Sequence, residues 1–191
     1  MFTLIELQQI LGICGSALPA EDPLIATLNK EIHMVKYNQR PTFHYLNIKT
    51  NPIRAGGVLI YRDTAGGERE FLLIKNPEGR YEDIGGKTDA KDKSINETIS
   101  RETEEETNGL ISAAVISRQL FRSQMIYRHG SKYLVYLVKA NAYEQELKSE
   151  AFGSVETHEN FHRTIHWVAA KNLTPDVLHP RLDMADFKMA G

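Results

Sequence analysis

Glu102, Glu105 and Glu106 fall within the stretch Gly85 to Leu110, GGKTDAKDKSINETISRETEEETNGL. On a helix, residues three and four apart are neighbours, so these carboxylates share one face and repel unless something positive lies among them. A hard divalent cation such as Mg2+ meets that need, because it takes oxygen ligands and shares them with substrate phosphates. Mn2+ favours the same ligands. The Gly85-Gly86 pair upstream lets the backbone approach a ligand closely and expose a carbonyl, since no side chain intervenes. The chemistry these residues suggest is metal-assisted attack on a phosphorylated molecule. The competing reading is a solvated helix face, the ordinary fate of a run such as RETEEET.

Local signals favour the helix. Ser94 and Glu97 have the S-x-x-E spacing of a capping box, which predicts a start at Ile95. Asn108-Gly109 supplies residues that tolerate the left-handed conformation that commonly ends a helix. Glu104 then points away from the other three acids. Arg101-Glu102 stands directly before the acidic pair.

These residues resemble the signature of the Nudix hydrolases, G-x5-E-x7-R-E-U-x-E-E-x-G-U, in which U is a bulky apolar residue. The chain offers Gly86, Asp92, Arg101-Glu102, Glu105-Glu106 and Asn108-Gly109-Leu110. It departs from the pattern in an extra residue between the glycines and Arg101, and in Asp92 where Glu is usual. Thr103 takes an apolar position, Asn108 precedes a displaced glycine, and Ile84 replaces a proline often found before the glycine pair. The extra residue falls in a loop, where length changes are best tolerated.

The resemblance implies that the Gly86 carbonyl, Glu102, Glu105 and Glu106 hold one or more Mg2+ ions (or Mn2+) against a diphosphate. It implies that Arg101 orients the glutamates, a task its planar fork suits better than lysine. Glu102, Glu105 or a loop glutamate would take a proton from water; the loop candidates are Glu156 and Glu159, with Glu159 preferred and ordinary exposed loop acids as the alternative. The implied reaction is hydrolysis of a phosphoanhydride bond in a nucleoside diphosphate linked to another moiety. A non-catalytic Nudix-fold module that senses a nucleotide, or an interaction protein whose acidic helix docks a basic partner, is the alternative.

The elements that must carry this site can be read on either side of it. Residues 1–50 form a mainly helical N-terminal extension, with Leu4, Leu7, Ile10 and Leu11 at helical spacing and Asp22-Pro23 opening a second helix. Residues 51–191 are expected to form the domain that the resemblance implies is catalytic. Gly57 to Tyr61 and Phe71 to Ile74 flank Asp63 to Gly67 as a hairpin, and Tyr81 to Ile84 leads to the glycine turn. Ala113 to Leu120 and Tyr133 to Val138 are expected as strands from their β-branched and aromatic content. Phe161, Ile165 and Trp167 alternate with polar neighbours as a last strand, and a final helix is expected from Pro180. Strands around a central helix predict an α/β fold, a mixed sheet packed between helices, similar to the α/β/α sandwich of the Nudix fold.

Net charge is −2, hydrophobic residues make up 41% and charged residues 25%, an ordinary globular composition. No apolar run approaches the roughly 20 residues a membrane span needs. The apolar N-terminus lacks a basic leader and carries Glu6, so a packed helix is expected rather than a signal peptide. The single Cys14 excludes an intramolecular disulfide and suggests a reducing, cytoplasmic setting. Between Thr107 and Tyr143 no acid occurs, while Arg118, Arg122, Arg128, Lys132 and Lys139 do. Beside an acidic metal site, such a segment suits a nucleotide or other diphosphate-containing small molecule whose phosphates contact both. A solvated hairpin balancing the acidic helix is the alternative. The charge pattern does not support extended nucleic-acid binding. Tyr81 is a candidate to stack on a base or sugar. His158, His162 and His166 are four residues apart, a spacing that matters on a helix, whereas the alternation here predicts a strand and surface histidines.

Overall fold

A computed structural model describes residues 3–158 and 160–189. The chain divides into two compact units, Met1–Pro41 with Asp89–Lys91, and Thr42–Thr88 with Asp92–Gly191. The first is a helical pair, α1 (Leu4–Ala17) and α2 (Pro23–Gln39). Thr3 and Glu6 close a capping box on α1, Asp22 accepts the Leu24 N–H at the start of α2, and Leu7, Leu28 and Ile32 form a small core.

The second unit runs through β1 (Phe43–His44), β2 (Pro52–Ile53), β3 (Ala55–Asp63), β4 (Arg69–Lys75), β5 (Tyr81–Glu82) and β6 (Ile84–Lys87). It continues with α3 (Ile95–Glu106), α4 (Ala113–Leu120), β7 (Gln124–Arg128), β8 (Tyr133–Lys139) and α5 (Ala142–Gln145). It ends with β9 (Val155–Glu156), β10 (Phe161–His162), β11 (Thr164–Ala169) and α6 (Met184–Met189). A 7-stranded sheet follows the path β11-β4-β3-β8-β7, with β5 paired to β4 and β6 to β3. β3 and β8 run parallel, and the other pairs in this sheet are antiparallel. The sheet is therefore mixed.

The apolar runs of β3, β4 and β8 are continuous because helices cover both faces. Alternate residues Val58, Ile60, Leu72, Ile74, Leu134 and Tyr136 pack with Ile99 of α3 and with Ile116 and Leu120 of α4. Leu59, Phe71, Leu73, Val135 and Leu137 pack on the other side with Phe187 of α6, whose ring meets Phe71 edge-on at 4.9 Å. The result is the expected α/β/α sandwich.

Three elements differ from the sequence reading. Ala113–Leu120 is a helix, not a strand. Its Ala-Ala start and its Leu, Gln and Arg favour a helix, and Ile116 and Leu120, four apart, both turn into the core. The last strand is broken at Arg163: Phe161 belongs to a separate hairpin of β9 and β10 and is 50% exposed. The C-terminal helix begins at Met184, after a turn through residues 180–183.

Candidate metal and diphosphate site

α3 carries the acidic cluster, and its ends are fixed as its residue types dictate. Ser94 Oγ accepts the Glu97 N–H at 3.1 Å, while the Glu97 carboxylate accepts from Lys93 N–H at 2.7 Å, one residue before the cap itself. Asn108 and Gly109 both adopt positive φ, 50° and 78°, and Gly109 N–H closes onto Glu104 O at 2.8 Å. Thr98, Ile99, Ser100 and Thr103 form the buried face. Thr103 stands in an apolar position because its hydroxyl donates to Ile99 O at 2.7 Å, which satisfies it inside the helix. Arg101, Glu102, Glu105 and Glu106 are left partly accessible, whereas Glu104 turns away to accept from Ala113 N–H.

Arg101 ties the cluster together. Its Nη1 donates to Glu102 Oε1 at 3.0 Å and to Glu105 Oε2 at 2.8 Å. Its Nε and Nη2 donate to Asp92 at 3.2 and 3.1 Å, and Nη2 also reaches the Lys87 carbonyl at 3.1 Å. Burial works against the Arg101 charge, but the Asp92 hydrogen bond and the charges of Glu102, Asp92 and Glu105 carry its pKa above the ordinary value. Asp92 also accepts from the Thr98 hydroxyl at 2.7 Å. The shorter acid thus still meets Arg101 across the lengthened loop.

The glycine turn closes the other side. Gly86 pairs with Gly56 of β3, and a Cβ at Gly86 would overlap the Glu102 carboxylate. Behind it, Asp83 is fully buried. Its carboxylate accepts from Tyr133 Oη at 2.8 Å and from Arg181 Nε at 2.8 Å. Arg181 also donates to the Asp83 carbonyl at 3.1 Å and pairs with Glu82 at 3.0 Å.

Glu106 differs from its two neighbours. Its carboxylate lies 3.6 Å from Arg163 Nε, and its side chain is 23% exposed. Its Oε2 is buried without a hydrogen-bond partner. Burial pushes its carboxyl up to about 7, with Arg163 opposing and Glu102 and Glu156 adding to the shift. A buried carboxylate oxygen with no hydrogen-bond donor suits an oxygen-seeking divalent cation. Among the described residues no three His, Cys, Asp or Glu side chains are already gathered as metal ligands; Glu102 and Glu105 are drawn onto Arg101 instead.

The remaining candidates are scattered. Tyr81 is half-buried on β5, with Lys75 Nζ 5.6 Å from its ring centroid. Arg118 is exposed on α4 and Arg122 just beyond it, and Lys132 is exposed in the turn between β7 and β8. Arg128 is bound by Asp186 and lies 3.7 Å from Asp183, so its charge is already engaged. Glu156, read as an exposed loop acid, is only 4% exposed, because the small hairpin folds it inward. Glu159 lies outside the described residues. His158 Nδ1 is 3.8 Å from Glu105 Oε1, His162 is exposed, and His166 bonds Thr164 at 2.8 Å. Asp83, Arg163 and Arg181 escaped the sequence reading, and Asn108 was read only as a helix-ending residue, without its bonds to Phe152, Val155 and Thr157. The available signal at Arg163 was a charged residue at an apolar position of the alternation Phe161, Ile165, Trp167.

Residues 51–189 match the family model described as the NUDIX domain. The chain belongs to the Nudix family. It is a Nudix-type hydrolase acting on acid anhydrides in phosphorus-containing compounds. Among solved structures, the binary complex of the C. elegans Ap4A hydrolase is 23% identical, covers 63% of this chain and 82% of its own, and has a TM-score of 0.40. RenU, a Nudix hydrolase from M. smegmatis, is 17% identical, covers 72% of this chain and 83% of its own, and has a TM-score of 0.38. No curated protein matches the chain. No helix among the described residues is long and apolar enough to cross a membrane.

Proposed function

We propose that this Nudix hydrolase splits the phosphoanhydride of a nucleoside diphosphate linked to another moiety, with Mg2+ or Mn2+ as cofactor. The observation that carries the reading is the Arg101 clamp on Glu102 and Glu105, with Glu106 on the same helix and the Gly86 backbone packed on Glu102. Glu102, Glu105, Glu106 and the Gly86 carbonyl would hold the cation. When bound, it supplies charge neutralisation at the phosphates and lowers the pKa of a water.

The chain's own residues do the rest. Arg101 holds both carboxylates on one side of α3 through charge-assisted hydrogen bonds. Glu102 and Glu105 are the carboxylates positioned to take the proton from water, with Glu159 as the loop candidate. Asp83, anchored by Tyr133 and Arg181, keeps the strand entering the glycine turn in place. We assign the activity to residues 51–191 and treat residues 1–50 as an extension to that domain. Hydrolysis of a panel of nucleoside diphosphate derivatives with Mg2+ and with Mn2+, the products identified by mass, tests the reading. Glu106→Gln should fold and lose most turnover; full activity in that variant overturns the assignment.

A further inference from the structure

Arg163 stands in the break between β10 and β11, and its side chain is fully buried. Its N–H donates to Ser154 O at 3.0 Å, which interrupts the strand. The guanidinium then acts on two segments at once. Nη1 donates to the carbonyls of Phe152 and Gly153, each at 3.1 Å. Nη2 donates to the carbonyl of Glu106, the last residue of α3, and Nε lies 3.6 Å from Glu106 Oε2. The final carbonyls of a helix lack partners within it, and a cation there is favoured by the helix dipole.

Asn108 grips the same loop from the other end. Its amide donates to Phe152 O and Val155 O at 2.9 Å, and its Oδ1 accepts from Thr157 N–H at 3.0 Å. Asn108 therefore fastens the loop without touching the Glu106 carboxylate; Arg163 does both. Burying a guanidinium is costly unless its geometry is used. A residue needed for packing alone would be apolar, whereas this one holds three backbone carbonyls and sets one charge against one carboxylate.

We propose that Arg163 is a positioning residue for Glu106: it fixes the backbone and carboxylate of that glutamate against the 152–157 loop, so that Glu106 meets a bound cation in a single orientation. The proposal rests on Glu106 being a cation ligand. Arg163 itself touches neither cation nor substrate.

The test is a double-mutant cycle on the full chain, read by Mn2+ affinity from electron paramagnetic resonance without substrate, and then by kcat and KM. Arg163→Lys keeps the charge but lacks the fork that reaches the loop and Glu106 together. It should weaken Mn2+ binding about 10- to 100-fold, the range for groups that orient a metal ligand. In the Glu106→Gln background the same change should have little further effect, because the residues act as a unit. The fall in activity should lie in kcat rather than KM. Asn108→Ala, which loosens the same loop, should bind Mn2+ as the unaltered protein does. Equal effects of Arg163→Lys in both backgrounds, no effect in either, or an equal loss in Asn108→Ala would overturn the proposal and leave Glu106 as a ligand. Unchanged Mn2+ affinity in Glu106→Gln alone would instead defeat the ligand reading and this proposal with it. If Arg163→Lys lacks a cooperative unfolding transition, Arg163→Gln takes its place in the cycle.

Discussion

Glu106 lends itself to a measurement that does not depend on the substrate. Burial pushes its carboxyl up to about 7 from an ordinary 4.5. The folded chain therefore keeps a proton that the unfolded chain releases between those values. The contribution of Glu106 to stability is greatest below pH 4.5 and falls as pH rises through 7. At about 1.4 kcal/mol per pKa unit, the full loss is at most about 3 kcal/mol. Roughly 2 kcal/mol of it falls between about pH 5.5 and pH 8.5. Glu106→Gln removes the titration and adds only a pH-independent offset from leaving Arg163 beside a neutral amide. The assay is urea unfolding in chelator across that range, followed by fluorescence of Trp167, the single tryptophan of the chain, which lies on β11 in the same unit as α3. The unaltered protein should lose stability relative to Glu106→Gln by about 2 kcal/mol as pH rises, or about 4–8 °C in Tm. Added Mg2+ should stabilise the unaltered protein more at the alkaline end, since cation and proton compete for one carboxylate. A difference between the two proteins that is flat with pH, or that rises, would refute the reasoning.

Four further outcomes are expected. Gly86→Ala places a methyl against the Glu102 carboxylate and should lower kcat by about 100-fold, with Mn2+ affinity reduced in parallel when titrated without substrate. Thr103→Val should change the unfolding free energy from urea titration by less than about 1 kcal/mol, because the lost hydroxyl donates only to Ile99 O in its own helix. Asn108→Ala removes the bonds to Phe152, Val155 and Thr157 and should cost about 2 kcal/mol of stability in the same assay. Asn108→Gly should be similarly destabilised although its backbone tolerates the positive φ better.

The acidic helix was legible because its evidence is local. Ser94, the Arg101–Glu106 spacing and Asn108-Gly109 all act within a few residues of one another, and the start at Ile95 follows from them. The same holds for the β3–β4 hairpin around Asp63 to Gly67. Ala113–Leu120 misled because Val115-Ile116 suggests a strand, while the burial of Ile116 and Leu120 on one helical face depends on a sheet the local sequence does not reveal. Arg163 and Arg181 were missed for a related reason: their partners at Glu106 and Asp83 lie far away in sequence, and spacing rules do not span such distances. Glu156 was misjudged because whether a loop acid is exposed depends on the hairpin that covers it.

The parallel pairing of β3 with β8 has a consequence for how activity appears during synthesis. Ala55 faces Tyr133 across that pair, so the segment carrying the glutamates lies inside the connection between those two strands. A parallel pair with a long intervening segment forms slowly, because loop closure precedes the contacts that reward it. The strand leading to the glycine turn then waits for Arg181 and the end of α3 for Arg163. A nascent chain that has already exposed every glutamate still lacks a working site. Hydrolytic activity should switch on late, when the C-terminal segment arrives, and fragments ending before it should carry the signature without the reaction.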